Sequence, residues 1–312
     1  MNVTFLGTSS GVPSLTRNVS SLALKLSQSA EVWLFDCGEG TQHQIMKSNI
    51  KSSQIKKIFI THMHGDHIYG LPGLLATLGL SGNSKGIEIY GPSELRSFIN
   101  SALKSSFCKL SFPLHFVEVE NFASINKILF ENKKIKVNCA CLKHKIPAYG
   151  YRVSEKDKPG IFDIKKAESL KIAPGPIYSE LQQGKKVVLD DGRTFDVKEF
   201  CGPPREGESF VYCTDTVFSE SAVSLAKNTD LLVHESTFSE EDENMAYEKL
   251  HSTTIMAAKT ALLSNAKKLI ITHLSPRYTN KNSITPDDLL KEAQKVFPNT
   301  QLAKDFLTAE IK

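Results

Sequence analysis

Short apolar or alternating runs, broken by turn-forming residues, fill residues 1–60 of the chain. The runs are VTFLG, SSLALKL and VWLFD, and Gly, Ser, Pro and Asn lie between them. Runs of this length with these breaks are typical of β-strands joined by short turns. The pattern therefore predicts that the chain begins with consecutive strands of a sheet.

Strand-like and helix-like patterns alternate in the rest of the chain. Strands are predicted at 57–60, IEIYG, HFVEV, KVNCACL, YGYRV, SFVYCTD, LLVHE and KLIITH. Helices are predicted over 41–47, 71–78, 92–103, 219–227 and 252–264. Strand runs at the start and alternating elements at the end predict an α/β layered fold with helices outside the sheets.

Residues 155–208 differ from the rest because they lack long apolar runs and are rich in proline and glycine, as in KPG, APGPIYSELQQG and CGPPREG. We expect an inserted, flexible arm with a short helix over 176–183. The stretch 143–186 holds ten Lys or Arg against five Asp or Glu, although the net charge of the chain is only +4. A polyanion would contact this stretch, and a solvated basic loop is the alternative.

The overall composition is that of a globular protein. The chain has 312 residues, 40% apolar and 23% charged, which allows one large core or two modest ones. The start MNVTFLGTSSGVPSL has no charged region followed by an apolar one, and no window approaches the roughly 18 apolar residues that span a bilayer. We therefore expect a cytoplasmic protein without a membrane partner.

Six cysteines in a chain of this kind are typical of buried thiols rather than of a disulfide framework. Cys139 and Cys141 lie near His144 in the sequence, which leaves two interpretations open. The two thiols belong to a zinc site, or they lie on one buried face of a strand.

Three segments end alike, with an apolar strand followed by ligand-type residues: IFITHMHGDH, FVYCTD and LIITH. Ligands at strand ends are expected to converge at one edge of a sheet, a usual place for α/β active sites. The alternate spacing of His62 and His64, followed by Asp66 and His67, directs imidazoles toward one point. Imidazole nitrogen and carboxylate oxygen suit zinc, and five histidines with two aspartates would suit two zinc ions.

HMHGDH resembles the H-x-H-x-D-H signature of the metallo-β-lactamase superfamily. The resemblance implies an αββα sandwich that carries two metal ions between its sheets. Members cleave lactams, thioesters, sulfate and phosphate esters, and nucleic acids, so this signature alone leaves the substrate open. Oxygen-reducing di-iron members typically have Glu where this chain has His64, which disfavours an iron redox role.

Further segments resemble the short form of the ribonuclease Z family, endonucleases that remove the 3′ trailer from precursor tRNA. FLGTSSGVPSLTRN, FDCGEGTQHQ, ITHMHGDHIYGLPGL, TDT, VHESTF, HST and ITHLSPRY follow in the family's order along the whole chain. Two departures are minor: Ser236 stands where the family often has Ala, and Thr214 stands where Gly is common.

The resemblance implies ligands for two zinc ions per subunit. One zinc would be held by His62, His64 and His144, the other by Asp66, His67 and His273, and Asp215 would bridge the two. The motif around His144, CLKHKIPAYGYR, is weaker than the others, and a surface histidine is the alternative there.

The resemblance also implies roles in the reaction. Asp66 would accept a proton from the attacking water, and His251, held by Glu235, would protonate the leaving 3′-oxygen. A purely orienting role is the alternative for Glu235. Arg17 and Asn18 match the family's opening loop and are the implied substrate-binding residues.

The implied function is a zinc-dependent endoribonuclease that cuts precursor tRNA after the discriminator nucleotide. The products would be a tRNA with a 3′-hydroxyl and a trailer with a 5′-phosphate. The chain would form one domain over residues 1–312, with an arm at about 155–208 that grips the tRNA elbow through phosphates and shape. The resemblance further implies a homodimer in which the arm of one subunit serves the active site of the other.

Two other functions stay open from the sequence. A hydrolase of small phosphodiesters, sulfate esters or thioesters would use the same fold, but it has no need of a long basic insertion. A non-enzymatic RNA-binding module would not need Asp66, His251 and a complete ligand set together. We therefore expect the endoribonuclease.

Overall fold

The computed structural model describes residues 1–27, 29–82, 85–122, 127–158, 160–182, 187–188, 192–195, 200–278 and 282–311. The chain divides into two compact units. The first, here called the sandwich unit, comprises Met1–Asn132, Lys136–Val153 and Glu208–Lys312. The second, here called the inserted unit, comprises Lys133–Ile135 and Ser154–Gly207.

The strands of the described residues form two seven-stranded mixed sheets and one two-stranded sheet. In chain order these are β1 (Asn2–Gly7), β2 (Ser21–Lys25), β3 (Val32–Phe35), β4 (Ile55–Phe59), β5 (Ile87–Gly91), β6 (Leu114–Glu118), β7 (Lys127–Glu131), β8 (Ile135–Leu142), β9 (Ala148–Glu155), β10 (Val187–Val188), β11 (Thr194–Phe195), β12 (Ser209–Cys213), β13 (Leu231–Glu235), β14 (Lys268–Thr272), β15 (Thr300–Leu302) and β16 (Thr308–Glu310). The first sheet has the order β16-β1-β2-β3-β4-β5-β6, and the second has the order β15-β14-β13-β12-β9-β8-β7. Strands β3 to β6 are parallel in the first sheet, and β12 to β15 are parallel in the second.

Helices cover the outer face of each sheet. The described helices are α1 (Thr41–Lys47), α2 (Gly65–Ile68), α3 (Leu71–Leu80), α4 (Glu94–Ser105), α5 (Ile164–Ser169), α6 (Pro176–Gln182), α7 (Glu220–Leu225), α8 (Glu243–Lys249), α9 (Thr254–Leu263) and α10 (Pro286–Val296). Apolar residues of α1, α3 and α4 share one core cluster with the first sheet, and those of α7, α9 and α10 share another with the second. The layers are therefore helix, sheet, sheet, helix, as the resemblance implied.

Aromatic side chains fill the space between the two sheets. The ring of Phe35 on β3 lies 5.4 Å from that of Phe210 on β12, and Phe59 on β4 lies 5.3 Å from Tyr151 on β9. The Tyr151 hydroxyl donates to the carbonyl of Ile60 at 2.6 Å. Burial of each such ring stabilises the fold by about 2 kcal/mol, so the strand ends beyond this layer rest on a well-packed base.

The inserted unit has a small core of its own. Helix α5 begins at Asp163, whose side chain accepts the backbone N–H of Lys166 at 3.0 Å. Five buried apolar residues of the inserted unit form one cluster: Ala167, Ile172, Leu181, Phe195 and Phe200. Strands β10 and β11 pair as an antiparallel hairpin. This unit therefore combines short secondary structure with a few buried side chains.

Most predicted elements are present, and the differences are shifted ends and some elements that were not predicted. Helix α1 has the predicted bounds, whereas the helix predicted over 92–103 spans Glu94–Ser105. The pattern did not predict α2, α5, α8, α10, β7, β10, β11, β15 or β16, and residue 183 of the predicted helix over 176–183 lies outside the described residues. In the described part of the chain, every helix is too short or too polar to cross a membrane.

Candidate metal centre

The ligand candidates lie beyond strand ends of both sheets. His62, His64, Asp66 and His67 follow β4 in the first sheet, whereas Asp215 follows β12 and His273 follows β14 in the second. The expectation that these strand ends share the edge of one sheet is therefore wrong. The side chains meet because the two sheets face each other and present these ends on the same side of the sandwich.

One group of donor atoms surrounds Oδ2 of Asp215. His62 Nε2 lies 3.3 Å and His144 Nε2 lies 3.8 Å from this oxygen. His64 Nδ1 lies 3.0 Å from His62 Nε2 and 3.2 Å from His144 Nε2. Each of the four side chains offers one ligand atom, all within 4.8 Å of one another. His144, the weakest match in the sequence, thus lies with the others.

A second group surrounds Oδ1 of the same carboxylate. His67 Nε2 lies 3.4 Å and His273 Nε2 lies 3.3 Å from Asp215 Oδ1. Both nitrogens also lie 3.4 Å from Oδ2 of Asp66. The two oxygens of Asp215 therefore face two separate groups, which is the position expected of a bridging ligand.

The backbone at Asp215 adopts a conformation that a non-glycine residue rarely takes, with φ at 39°. Such a residue costs about 1–3 kcal/mol and persists only where its surroundings hold it. Burial raises the pKa of the Asp215 carboxyl, but the imidazoles of His273, His67 and His62 outweigh burial and hold it well below its usual range. The site therefore presents Asp215 as a buried carboxylate anion.

The donor set fits metal ions. Two ligand atoms of one tetrahedral zinc ion, each about 2.1 Å from the metal, lie about 3.4 Å apart. The separations of 3.0–3.8 Å in the two groups are close to that value. Among the described residues, His67 Nε2 and Asp215 Oδ1 are buried atoms without a hydrogen-bond partner. A buried polar atom in this condition is costly, and a cation between the two would satisfy both.

In two candidate ligands, His67 and His144, the ring nitrogen Nδ1 donates to an oxygen that carries no proton. His67 Nδ1–H donates to Oδ2 of Asp36 at 2.8 Å, and His144 Nδ1–H donates to the carbonyl of Leu250 at 2.9 Å. The proton on Nδ1 leaves Nε2 with its lone pair directed into the centre. Contacts of this kind orient metal ligands and raise their basicity.

Asp36, which lies within FDCGEGTQHQ, is a further residue of the candidate centre that was not predicted from the sequence. Its carboxylate is fully buried and accepts hydrogen bonds from His67 Nδ1–H, from the backbone N–H of Thr61 at 2.8 Å and from the hydroxyl of Tyr212 at 3.3 Å. The signal in the sequence is an aspartate directly after the apolar strand VWLF, because such a buried charge requires partners.

Glu235 and His251 form a pair next to the ligand groups. Oε1 of Glu235 lies 2.8 Å from His251 Nδ1, and the same oxygen accepts the backbone N–H of Thr216 at 2.9 Å. Burial lowers the pKa of His251, but the charge and hydrogen bond of Glu235 outweigh burial and raise it to about 9. The His251 side chain is 16% exposed and that of Glu235 is 0% exposed, so only the histidine is open to a ligand.

Asp66 is the more accessible of the two carboxylates in the centre. Its side chain is 10% exposed, against 3% for Asp215. The backbone N–H of Gly11, which has a φ of 71°, donates to Asp66 Oδ2 at 2.9 Å. Burial raises the pKa of the Asp66 carboxyl, but His67 and His273 outweigh burial and lower it below its usual range.

Arg17 and Asn18 hold the opening loop to its surroundings. Nη1 of Arg17 donates to the Thr8 hydroxyl and to the Ala303 carbonyl, each at 2.7 Å. The backbone N–H of Asn18 donates to Asp305 Oδ2 at 2.7 Å. A cavity of about 620 Å³ lies beside this loop, with Arg17, Asp305 and Leu15 among its walls.

The remaining candidates lie outside the centre. Cys139 is buried on β8 but Cys141 is exposed, so the interpretation that both thiols lie on one buried face is wrong. Within the described ranges neither thiol belongs to a group that could hold a metal. His234 is buried with Nδ1 2.7 Å from the Glu235 carbonyl, which is a structural role.

Comparisons with known proteins find relatives that match the whole chain. The sequence model of one family, described as Anti-Pycsar protein Apyc1, matches residues 1–156. The chain is 95% identical over 312 residues to the ribonuclease Z of Prochlorococcus marinus (strain AS9601), with 100% of both chains covered. The structure of human tRNase Z, short form, is 32% identical with a TM-score of 0.72 and covers 100% of both chains.

A more distant structure supports the fold alone. The metallo-β-lactamase fold protein YhfI from Bacillus subtilis is 17% identical with a TM-score of 0.67, covering 99% of this chain and 98% of that chain. The identities to the Prochlorococcus ribonuclease Z and to human tRNase Z, 95% and 32%, are higher than this 17%. The chain therefore belongs to the ribonuclease Z family of tRNA 3′-processing endoribonucleases, and its first half matches the family described as Anti-Pycsar protein Apyc1.

Proposed function

We propose that the chain cuts precursor tRNA directly after the discriminator nucleotide in a zinc-dependent reaction. The products are a tRNA with a 3′-hydroxyl and a trailer with a 5′-phosphate. The observation that carries this proposal is the position of Asp215, whose two oxygens face two separate groups of imidazole donors beside an ionic Glu235 and His251 pair. Two metal groups beside a proton donor match the needs of phosphodiester hydrolysis.

Two zinc ions per subunit would be held by these donors. His62, His64 and His144 would hold one, Asp66, His67 and His273 would hold the other, and Asp215 would bridge them. When bound, such ions polarise the phosphodiester and lower the pKa of bound water toward 7. The protein's own contribution is to keep these donors at fixed separations and to shield them from bulk water.

Asp66 accepts the proton of the attacking water in this proposal. Its 10% exposure supports the assignment, because a water can approach this carboxylate while Asp215 is almost closed off. The hydrogen bond from Gly11 N–H fixes the orientation of the Asp66 carboxylate, which is a condition for efficient proton transfer.

His251 donates a proton to the leaving 3′-oxygen. The hydrogen bond between its Nδ1 and Glu235 leaves Nε2 free to be the donating atom. Because the Glu235 side chain is fully buried, we propose that it acts by positioning and charging His251 rather than by touching the RNA.

The arm at about residues 155–208, most of which belongs to the inserted unit, is proposed to bind the tRNA at a distance from the bond that is cut. Lys165, Lys166 and Lys171 are exposed cations around α5. Exposed lysines are typical contacts for phosphates, and such contacts read the shape of folded RNA rather than its sequence.

Arg17 and Asn18 are proposed to support substrate binding through the loop that they hold. Their hydrogen bonds to Thr8, Ala303 and Asp305 fix both ends of the loop over residues 10–16, whose exposed tip includes Leu15. The RNA would then contact the tip and the adjacent cavity, of which Arg17 is one wall.

The assembly is proposed to be a homodimer with precursor tRNA as its partner, each arm serving the other subunit's active site. A precursor tRNA substrate also agrees with a cytoplasmic location. Light scattering at several protein concentrations tests the dimer, and a mass that stays at one chain throughout would contradict it.

A direct assay tests the proposed reaction. Purified protein is incubated with a 3′-extended precursor tRNA, with and without a chelator, and the product ends are mapped. We expect a single cut after the discriminator that the chelator abolishes and added zinc restores. A cut elsewhere, or one that resists the chelator, contradicts the proposal. If the protein hydrolyses small phosphodiesters but leaves precursor tRNA uncut, the result indicates a small-molecule hydrolase instead.

A further inference from the structure

The hydroxyl of Thr237 lies between the Glu235 and His251 pair and the metal ligand His273. Thr237 Oγ1 is 2.7 Å from Glu235 Oε2 and 3.0 Å from His273 Nδ1. The backbone N–H of Thr237 donates to the same Glu235 oxygen at 3.0 Å. The side chain is nearly fully buried, so solvent does not substitute for these contacts.

The proton positions follow from the chemistry of the partners. A threonine hydroxyl has one proton, and the carboxylate of Glu235 accepts hydrogen bonds without donating any. The charged Glu235 carboxylate at 2.7 Å is a closer and stronger acceptor than the His273 carbonyl oxygen at 3.0 Å, so the hydroxyl donates to Glu235 and accepts from His273 Nδ1–H. With its proton on Nδ1, His273 directs the lone pair of Nε2 toward Asp66 and Asp215.

The other metal group has a matching arrangement. Thr61 Oγ1 lies 3.0 Å from His62 Nδ1 and 3.0 Å from both oxygens of Asp36. Here too a threonine connects a buried carboxylate to the outer nitrogen of a ligand. The difference is that Glu235 also contacts His251, whereas Asp36 contacts a second metal ligand, His67.

We propose that Thr237 is a positioning residue that holds His273 in the Nδ1–H tautomer and ties this ligand to the Glu235 carboxylate that orients His251. The Glu235 carboxylate then orients both His251, the proposed proton donor, and His273, a proposed metal ligand. The expected effect on cleavage rests on the proposed function. The expected effect on metal binding does not depend on the substrate.

The test compares Thr237→Val, which keeps the shape and removes the hydroxyl, with Thr237→Ser, which keeps the hydroxyl. Thr229→Val is the matched control, because Thr229 is also a fully buried threonine, and its hydroxyl contacts Ser209 rather than a metal ligand. Zinc affinity is measured by competition with a coloured chelator, and kcat and KM are measured on precursor tRNA at saturating zinc.

We expect Thr237→Val to weaken zinc binding by about 10-fold to 100-fold, the usual effect of removing a hydrogen bond to a ligand. We also expect kcat to fall by a similar factor while KM stays within about 3-fold, because the hydroxyl does not reach the RNA. Thr237→Ser should restore both values to within about 3-fold of the unsubstituted chain, and Thr229→Val should change only thermal stability.

Two results would overturn the inference: a Thr237→Val chain with unchanged zinc affinity and kcat, or a Thr237→Ser chain as impaired as Thr237→Val. A role in packing alone would lower thermal stability in Thr237→Val and Thr229→Val alike without weakening zinc binding. If the unsubstituted chain fails to cut precursor tRNA, the proposed function fails, and the zinc affinities still decide the role of Thr237.

Discussion

Polar side chains are mostly buried in the candidate metal centre, whereas the lysines around α5 in the inserted unit are exposed. In the centre, buried side chains have fixed partners, as the Asp36 carboxylate has in His67 Nδ1–H and the backbone N–H of Thr61. In the inserted unit, Lys165 and Lys171 are exposed, and Lys166 lies 5.8 Å from the centre of the Phe200 ring. Bond cleavage requires atoms held within fractions of an ångström, whereas phosphate binding depends mainly on the number of charges presented.

The largest expected effect comes from the centre. Asp66→Ala removes the proposed proton acceptor and one metal ligand together, so we expect the cleavage rate to fall by about 1,000-fold or more. Binding of precursor tRNA should stay within about 3-fold, because the phosphate contacts are proposed to lie in the inserted unit. Single-turnover cleavage and filter binding measure the two quantities on the same preparation.

Glu220→Ala is the control for Asp66→Ala, since it removes an exposed carboxylate at the start of α7. It should leave both the cleavage rate and binding unchanged. A loss of tRNA binding as large as the loss of cleavage in Asp66→Ala would contradict the division of roles between the two regions.

A smaller effect is expected from the inserted unit. Replacing Lys165, Lys166 and Lys171 by Ala together removes three exposed positive charges, so KM for precursor tRNA should rise by roughly 10-fold. The dependence of log affinity on log salt should become shallower by about 2 to 3, close to one for each phosphate that a lysine no longer neutralises. Hydrolysis of a small phosphodiester should not change.

Three exposed lysines of the sandwich unit provide the control for charge alone: Lys104, Lys259 and Lys291. Their replacement by Ala changes the net charge by the same amount. If both triple variants raise KM equally, the tRNA is attracted by total charge, and the proposal of a specific binding unit is wrong.

The features of the centre also differ in how far the sequence alone could predict them. The candidate ligands could be predicted because His62, His64, Asp66 and His67 form one short motif, and Asp215 and His273 come just after apolar strands. The strand patterns alone could not predict that these residues come from two facing sheets, because such patterns do not say which strands pair. That arrangement was implied only by the family resemblance. The three-residue strand β16, which pairs with β1 from the other end of the chain, carries too short a pattern to be recognised.

Some missed elements did carry a local signal. The start of α10 reads Thr-Pro-Asp-Asp, in which Thr285 accepts the backbone N–H of Asp288 and the Asp288 carboxylate accepts that of Thr285. This capping box with proline in the first turn is a recognisable helix start. The contacts of Thr237 and Asp36, by contrast, depend on partners brought together only by the fold.

The smallest expected effects compare one helix cap in each region. Thr285→Ala and Asp163→Ala each remove an N-cap acceptor, worth about 1 kcal/mol. In Thr285→Ala this lowers the Tm of the sandwich unit by about 2 °C. In Asp163→Ala the inserted unit alone is destabilised, so exchange of the amide protons of α5 should accelerate by about 5-fold while the main Tm stays unchanged.

Calorimetry and amide hydrogen exchange measure these two cap effects, with Thr285→Ser and Asp163→Asn as controls that keep an acceptor oxygen at each position. Each control should recover most of the loss. A fall in the main Tm as large for Asp163→Ala as for Thr285→Ala would mean that both units unfold together. The small core around Ala167 and Phe200 would then not be an independent folding unit, and the contrast between a fixed centre and a separately stabilised binding unit would fail.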